Sequence, residues 1–300
     1  MAASRVSSRG RLLVHAAWVL AAVCLLVWTA SVAFLWVNEA RFVFRAHATR
    51  GIPASLDDDG FSRARFTAAD GVALEGAMLA APESDHAYWI LFAPGAGNSI
   101  HFGRVQSQLR QLGAMGYNVL AFDYRGFGQT LGVPSESGLY QDARAAYDYL
   151  TVTRRVPPAR VILAGRSLGS AVAVELATHV PSAGALLLSP IASVPDTAAW
   201  LYPWAPVRLL AANRFDSAAK VARLRVPVVV VHARNDRFVP LAAARLLYSR
   251  VTAPKLMLET AGGHTRAGFD DPAALADGLS RFWPIALESP SAGADALGSD

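Results

Sequence analysis

Cysteine occurs once in the 300 residues, at Cys24, which excludes an intramolecular disulfide and leaves no thiol cluster for a metal. Lysine is almost as scarce: only Lys220 and Lys255 among 28 basic residues, and the arginines are scattered, not gathered into a block or interleaved with aromatics. The formal charge of +5 therefore lacks the footprint of a nucleic-acid binder, and no nucleic-acid partner is expected. Phosphate-cradling signatures are missing too. Neither Ala93-Pro94-Gly95-Ala96-Gly97-Asn98 nor Gly126-Phe127-Gly128 continues into GxGxxG or GxxxxGK, which argues against a dinucleotide or nucleotide site. No metal or organic cofactor is expected, and no internal repeat is visible.

Apolar residues, by contrast, are abundant, at 53% of the chain. Residues 12–37 form an almost unbroken apolar run, interrupted by His15, Thr29 and Ser31. At about 1.5 Å per residue such a helix covers the ~30 Å hydrocarbon core with length to spare. Trp18, Trp28 and Trp36 suit interfacial anchoring. Arg5, Arg9 and Arg11 resemble the basic start of a signal peptide, but the run outlasts the apolar core of about 7–15 residues that such a peptide carries. An uncleaved, single-pass anchor is therefore expected. Cleavage near Ser31-Val32-Ala33, giving a secreted product, is the alternative. Arg41, Arg45 and Arg50 nearly balance the arginines before the helix; the N-terminal amine and Glu39 tip the reading toward an inside N-terminus, with the rest of the chain outside the cytoplasm. The chain divides into a basic flank (1–11), the anchor (12–37), a juxtamembrane linker (38–60), a folded domain (61–286) and a Ser/Ala/Gly/Asp-rich tail (287–300) expected to be disordered.

Within 61–286, short apolar runs alternate with helical patterns. Asp70-Gly71 marks a hairpin between runs at 65–69 and 72–79. Further strands are expected at 88–93, 118–123, 161–165, 185–189, 226–232 and 255–259, with helices near 102–115, 137–152, 168–179, 240–250 and 272–285. This alternation predicts an α/β fold: a mainly parallel central sheet with helices on both faces. Function in such sheets gathers at the carboxyl ends of the strands.

Three of those ends carry chemistry. Gly165-Arg166-Ser167-Leu168-Gly169 sits where a strand meets a helix of small residues. A serine on so sharp a turn would project its hydroxyl above the sheet, with the Leu168 amide aimed at the same spot. A serine hydroxyl needs a base, and the base an orienting carboxylate; Asp236 and then His264 follow the next strands in the order this arrangement requires. Singly, Asp236 equally suits the cap of a helix opening near Pro240, and His264 is one of seven histidines. Order, spacing and topology together favour a triad of Ser167, Asp236 and His264. Asp196 is a reserve carboxylate, and His232 reads as the end of its strand.

With the triad stand Phe122-Asp123-Tyr124-Arg125-Gly126-Phe127-Gly128, Pro134-Ser135-Glu136-Ser137-Gly138-Leu139, Tyr202-Pro203-Trp204, and Phe215-Asp216-Ser217 with Lys220. On these stretches the chain, over roughly residues 60–285, resembles the α/β-hydrolase superfamily, and more narrowly its membrane-anchored, alpha/beta-hydrolase domain-containing serine hydrolases. The resemblance implies the α/β-hydrolase fold with a short cap insert at about 194–225. It also implies an oxyanion hole built from the backbone amides of Gly95 and Leu168, and structural roles for Asp123 and Arg125. It departs from the family at Ala93-Pro94, where relatives carry His-Gly. Proline has no N–H to give, so Gly95 is the remaining donor, and losing one donor costs about 10²–10³ in rate. Arg166 is expected to be packed or solvated near the mouth. The function implied is hydrolysis of carboxylic esters or thioesters through an acyl-enzyme. Trp200, Leu201, Tyr202 and Trp204 in the cap suit a lipid-like acyl group, although aromatic clusters as often serve packing. The rival readings are a membrane-tethered pseudohydrolase with an impaired oxyanion loop and, last, a peptidase.

Overall fold

The computed structural model describes residues 8–53, 56, 60–81 and 87–285; the tail at 287–300 and residues 1–7 of the basic flank lie outside them. Its strands are β1 (Ser62–Thr67), β2 (Ala73–Leu79), β3 (Trp89–Ala93), β4 (Asn118–Phe122), β5 (Val161–Arg166), β6 (Gly184–Leu188), β7 (Val228–Ala233) and β8 (Lys255–Thr260). Its helices are α1 (Ser8–Val37), α2 (Glu39–Phe44), α3 (Gly103–Ala114), α4 (Glu136–Asp148), α5 (Leu168–Ala177), α6 (Val194–Leu201), α7 (Val207–Leu210), α8 (Ser217–Lys220), α9 (Leu241–Arg250) and α10 (Pro272–Ser280).

The strands form one sheet in the order β1-β2-β4-β3-β5-β6-β7-β8. β1 and β2 make the expected antiparallel hairpin, whose turn uses Gly71 at φ 89°. β2 pairs antiparallel with β4, and every later pairing is parallel. Runs such as Val228-Val229-Val230-Val231 suit this setting, because a parallel strand is covered on both faces. Alternate residues divide between two cores. Leu91, Leu120, Leu163, Leu187 and Val230 face the side of α4, α5 and α9; Ile90, Val119, Ile162, Leu186 and Val229 face α3 and α10. A one-residue slip would exchange the two sets, so burial on both faces pins the register. The last helix is shorter than its pattern: α10 stops at Ser280, and Trp283 turns into the core, its indole N–H donating to the Ala183 carbonyl (3.0 Å). Pro284 follows and disfavours helical backbone at the residue before it.

The stretch Gly10–Val37 is long and apolar enough to cross a membrane. Residues 11–30 are exposed on all sides. From Ser31 onward one stripe, comprising Ser31, Val32, Leu35, Asn38 and Glu39, is half-buried at helical spacing. That stripe lies against the insert between β6 and β7, which holds α6, α7 and α8. The Trp28 indole N–H donates to the Trp204 carbonyl (3.0 Å), and Glu39 accepts the amides of Ala212 and Asn213 (3.0 and 2.9 Å). The segment expected as a linker is therefore structured at its start. Phe44 is buried against Phe215, and residues 46–49 form a 3-10 turn. Three residues, Phe42-Val43-Phe44, are too few to show a period in the sequence.

Candidate active site

β5 ends in Arg166, and the chain turns at once into α5. Ser167, between them, holds φ 53° and ψ −118°, a strained conformation for a residue with a side chain. The flanking glycines make it possible. A Cβ on Gly165 would overlap the Gly169 carbonyl, and one on Gly169 would overlap the Ala93 carbonyl. The Ser167 amide donates to Leu188 on β6 (2.9 Å), which fixes the elbow to the sheet.

His264 follows β8. Its Nε2 lies 3.0 Å from Ser167 Oγ, and its Nδ1 lies 2.6 Å from Asp236 Oδ2. Ser189 Oγ holds the His264 carbonyl at 2.9 Å. The other Asp236 oxygen accepts the amides of Phe238 and Val239, each at 2.9 Å. Burial alone would raise the Asp236 carboxyl; the hydrogen bond from His264 and the two amides outweigh it and hold the group below the usual carboxylate value. Asp236 does not cap α9, whose N-cap is Pro240. Asp196 stands apart, accepting from Ser193 at the start of α6 and pairing with Arg208. His232 is buried, gives its Nε2 proton to the Val239 carbonyl (3.0 Å), and lies 3.5 Å from Asp236; burial lowers its pKa, so it stays neutral beneath the carboxylate.

Gly95 touches Ser167: a Cβ there would lie 3.1 Å from the Arg166 carbonyl and 3.4 Å from Ser167 Cβ. Among the described residues neither the Gly95 nor the Leu168 amide donates to the protein. The loop that departs from the family pattern is held from several directions. Tyr124 donates to the Pro94 carbonyl (3.1 Å), Asn98 Nδ2 to the carbonyls of Gly95 and Ala96 (3.3 and 2.9 Å), and the Gly97 amide to the Phe44 carbonyl (2.9 Å).

Asn98 Oδ1 in turn accepts from Arg104 (2.9 Å) and Arg166 (3.3 Å). Arg166 is not solvated at the mouth: it is 2% exposed, bonded to Gln108 Oε1 and to the Thr265 carbonyl. Alternation along β5 explains this, since position 166 shares its face with Ile162 and Ala164, toward α3. Burial pushes the guanidinium down to about 10, the nearby Arg104 charge adding to the effect, which leaves it a cation at neutral pH.

Asp123 and Arg125 each brace a loop, but not by pairing with one another. Asp123 accepts Ser99 Oγ (2.7 Å) and the Ile100 amide (2.9 Å); Arg125 ties Asp142 on α4 to Asp70 in the hairpin turn. Glu136 accepts the Arg214 and Phe215 amides where the insert returns to the body, and Lys220 pairs with Glu175 on α5. These motif residues brace the fold around the site.

Above Ser167 and His264 opens a cleft of about 380 Å³, within the range of small-molecule sites. α2 and α6 give it an apolar lining, including Phe42, Val43, Val194 and Ala198, while Arg45, Arg104 and Arg166 bring three cations. For Arg166 the packed alternative holds; the contribution of α2 is the feature that motif reading missed.

A family profile described as Serine aminopeptidase, S33 matches residues 85–218. An uncharacterised protein of Mycobacterium tuberculosis is 39% identical over 172 residues, which is 57% of this chain and 61% of that protein. Human alpha/beta hydrolase domain-containing protein 17B is 30% identical over 183 residues, 58% of this chain and 60% of its own length. The chain thus spans about three fifths of these relatives. Among solved structures, an α/β hydrolase from Vibrio vulnificus superposes with a TM-score of 0.66 at 20% identity, covering 81% of this chain and 91% of that one. A Pyrococcus furiosus esterase does so with a TM-score of 0.60 at 21% identity, covering 75% and 91%.

Proposed function

We propose that this chain, which has the α/β-hydrolase fold, is a serine hydrolase of acyl esters or thioesters, held at a membrane by α1. The observation that carries the reading is the unbroken hydrogen-bonded chain from Ser167 Oγ through His264 to Asp236.

Ser167 Oγ attacks the acyl carbonyl as His264 Nε2 takes its proton, and Asp236 steadies the imidazolium through Nδ1. The oxyanion of the tetrahedral intermediate is met by the Gly95 and Leu168 amides, the latter at the positive end of α5. The bond from the carbonyl carbon to the leaving oxygen or sulfur breaks, and His264 returns its proton to the leaving group. Water, deprotonated by the same imidazole, then releases the acid and restores the serine.

The cleft lining supports an acyl compound over a peptide with a free amino terminus. An ammonium group calls for carboxylates, whereas the described residues lining the cleft include none. A pseudohydrolase with an impaired oxyanion loop finds no support in that loop, which is braced at Pro94, Gly95 and Gly97.

The test is labelling of the detergent-solubilised protein with a fluorophosphonate, followed by turnover of short- and long-chain esters. Labelling that disappears in Ser167→Ala is the expected result. Labelling that survives the substitution names another nucleophile, and none in the unaltered protein returns the chain to the binding-protein reading.

A further inference from the structure

Arg166 is a cation with no anion to answer it. It is buried beside the nucleophile, its hydrogen-bond partners Gln108, Asn98 and Thr265 are all neutral, and among the described residues no carboxylate pairs with it. A charge kept out of water without a partner is unfavourable, and the acceptors that hold it here are neutral and leave its charge unanswered. Arg104 reaches over the same loop to Asn98. Arg45, at the end of α2, holds a left-handed φ of 53°, a conformation that glycine adopts without strain. Its Cβ lies 3.1 Å from where a Cβ on Gly97 would stand, so the arginine overhangs the oxyanion loop. Three cations therefore share one cleft, whose described lining holds no acidic residue and is otherwise largely apolar.

We infer that the cleft takes an acyl compound whose leaving portion carries a phosphate: the acyl chain lies along Phe42, Val43 and Tyr202, and the anion meets Arg45 and Arg104. Arg166 adds its field from beneath the loop without needing to touch the substrate. This rests on the serine-hydrolase reading above and narrows its substrate class. The same chemistry is offered by a phosphorylated lipid in a bilayer and by a water-soluble thioester of a phosphorylated carrier.

Two substrate pairs given to the full-length protein in nanodiscs separate those sources. One is a monoacylglycerol against its phosphate; the other is S-acyl pantetheine against S-acyl phosphopantetheine, with the same acyl chain within each pair. The phosphorylated member of at least one pair is expected to be favoured about tenfold in kcat/KM, as two charge-assisted contacts allow. The pair that shows the preference identifies the source. In Arg45→Gln/Arg104→Gln the ratio is expected to fall to near parity; being a ratio within one preparation, it is unaffected by partial misfolding. Equal turnover within both pairs, or an undiminished ratio in the double variant, overturns the inference. If none of the four is turned over although Ser167 labels, dodecyl phosphate is expected to slow labelling where dodecanol does not, and equal effects overturn the inference. Absence of both turnover and labelling overturns the hydrolase reading itself, and the inference with it.

Discussion

Replacing Asp236 by asparagine keeps the shape of the site and inverts one hydrogen bond. The carboxylate now accepts from three donors, two backbone amides at Oδ1 and His264 at Oδ2. An asparagine satisfies the amides of Phe238 and Val239 with its single oxygen, which turns its NH₂ toward His264 Nδ1. Two donors cannot share that 2.6 Å contact, so the imidazole must move its proton to Nε2, and Nε2–H then faces Ser167 with no lone pair to take the hydroxyl proton. In a Ser-His-Asp triad such a tautomer change lowers kcat by about 10⁴-fold, equivalent to about 5.5 kcal/mol of transition-state stabilisation. Stability changes far less: one charge-assisted hydrogen bond is lost, worth about 1.5–3 kcal/mol, and the amides keep their acceptor. Stopped-flow hydrolysis of a short ester and a thermal melt on the same preparation check both figures. Asp236→Asn retaining activity within tenfold of the unaltered protein, at a similar melting temperature, would refute the reasoning.

Gly169→Ala places a Cβ against backbone carbonyls at Ala93 and Pro94, neither of which can rotate away. It is expected to cost at least about 2 kcal/mol and to slow fluorophosphonate labelling more than tenfold, whereas Gly263→Ala, which meets open space, should stay within about 0.5 kcal/mol in the same melts. Asp123 is pushed up to about 7 by burial, so between the unfolded value of about 3.9 and 7 the folded state holds a proton that the unfolded chain has lost. Its contribution is therefore fully present below pH 4 and is lost as pH rises through 7; urea titrations from pH 4 to 8 should show that decline flattened in Asp123→Asn, and an identical pH profile would contradict the assignment. Glu39→Ala strips the acceptor from the Ala212 and Asn213 amides, which is expected to cost about 1–2 kcal/mol and to speed limited proteolysis near residues 205–214.

Much of the fold was legible because its strands obey simple rules. Val228 to Val231 can only be a strand covered on both faces, and Asp70-Gly71 can only be a tight turn between two short ones. The elbow was legible for a steric reason, since glycines on both sides of a serine at a strand end leave few alternatives to a crowded turn. The structure also brings Ser167, Asp236 and His264 together, three residues that the sequence could rank by order along the chain but could not measure. Arg166 was left between packed and solvated because a charged side chain invites the surface; the alternation shared with Ile162 and Ala164 decides for packing. α2 escaped because its packing depends on Phe215 and Tyr202, partners more than 150 positions away, for which no local pattern stands in. Helix ends depended on tertiary events as well, as when Trp283 leaves its helical phase to enter the core.

The joint at Asn38 leaves no slack between the long helix and the body. Glu39, Phe42 and Phe44 are each tied to the insert or the loops beside it within two turns of that residue. The apolar helix is thus a mast and not a leash: it meets the body through these contacts and not through a free linker, at the level of the cleft wall that α2 forms. A soluble version begun at residue 61, where the sequence pattern suggests that the α/β domain starts, would fold without one wall of its own pocket, whereas one begun at residue 31 would keep it.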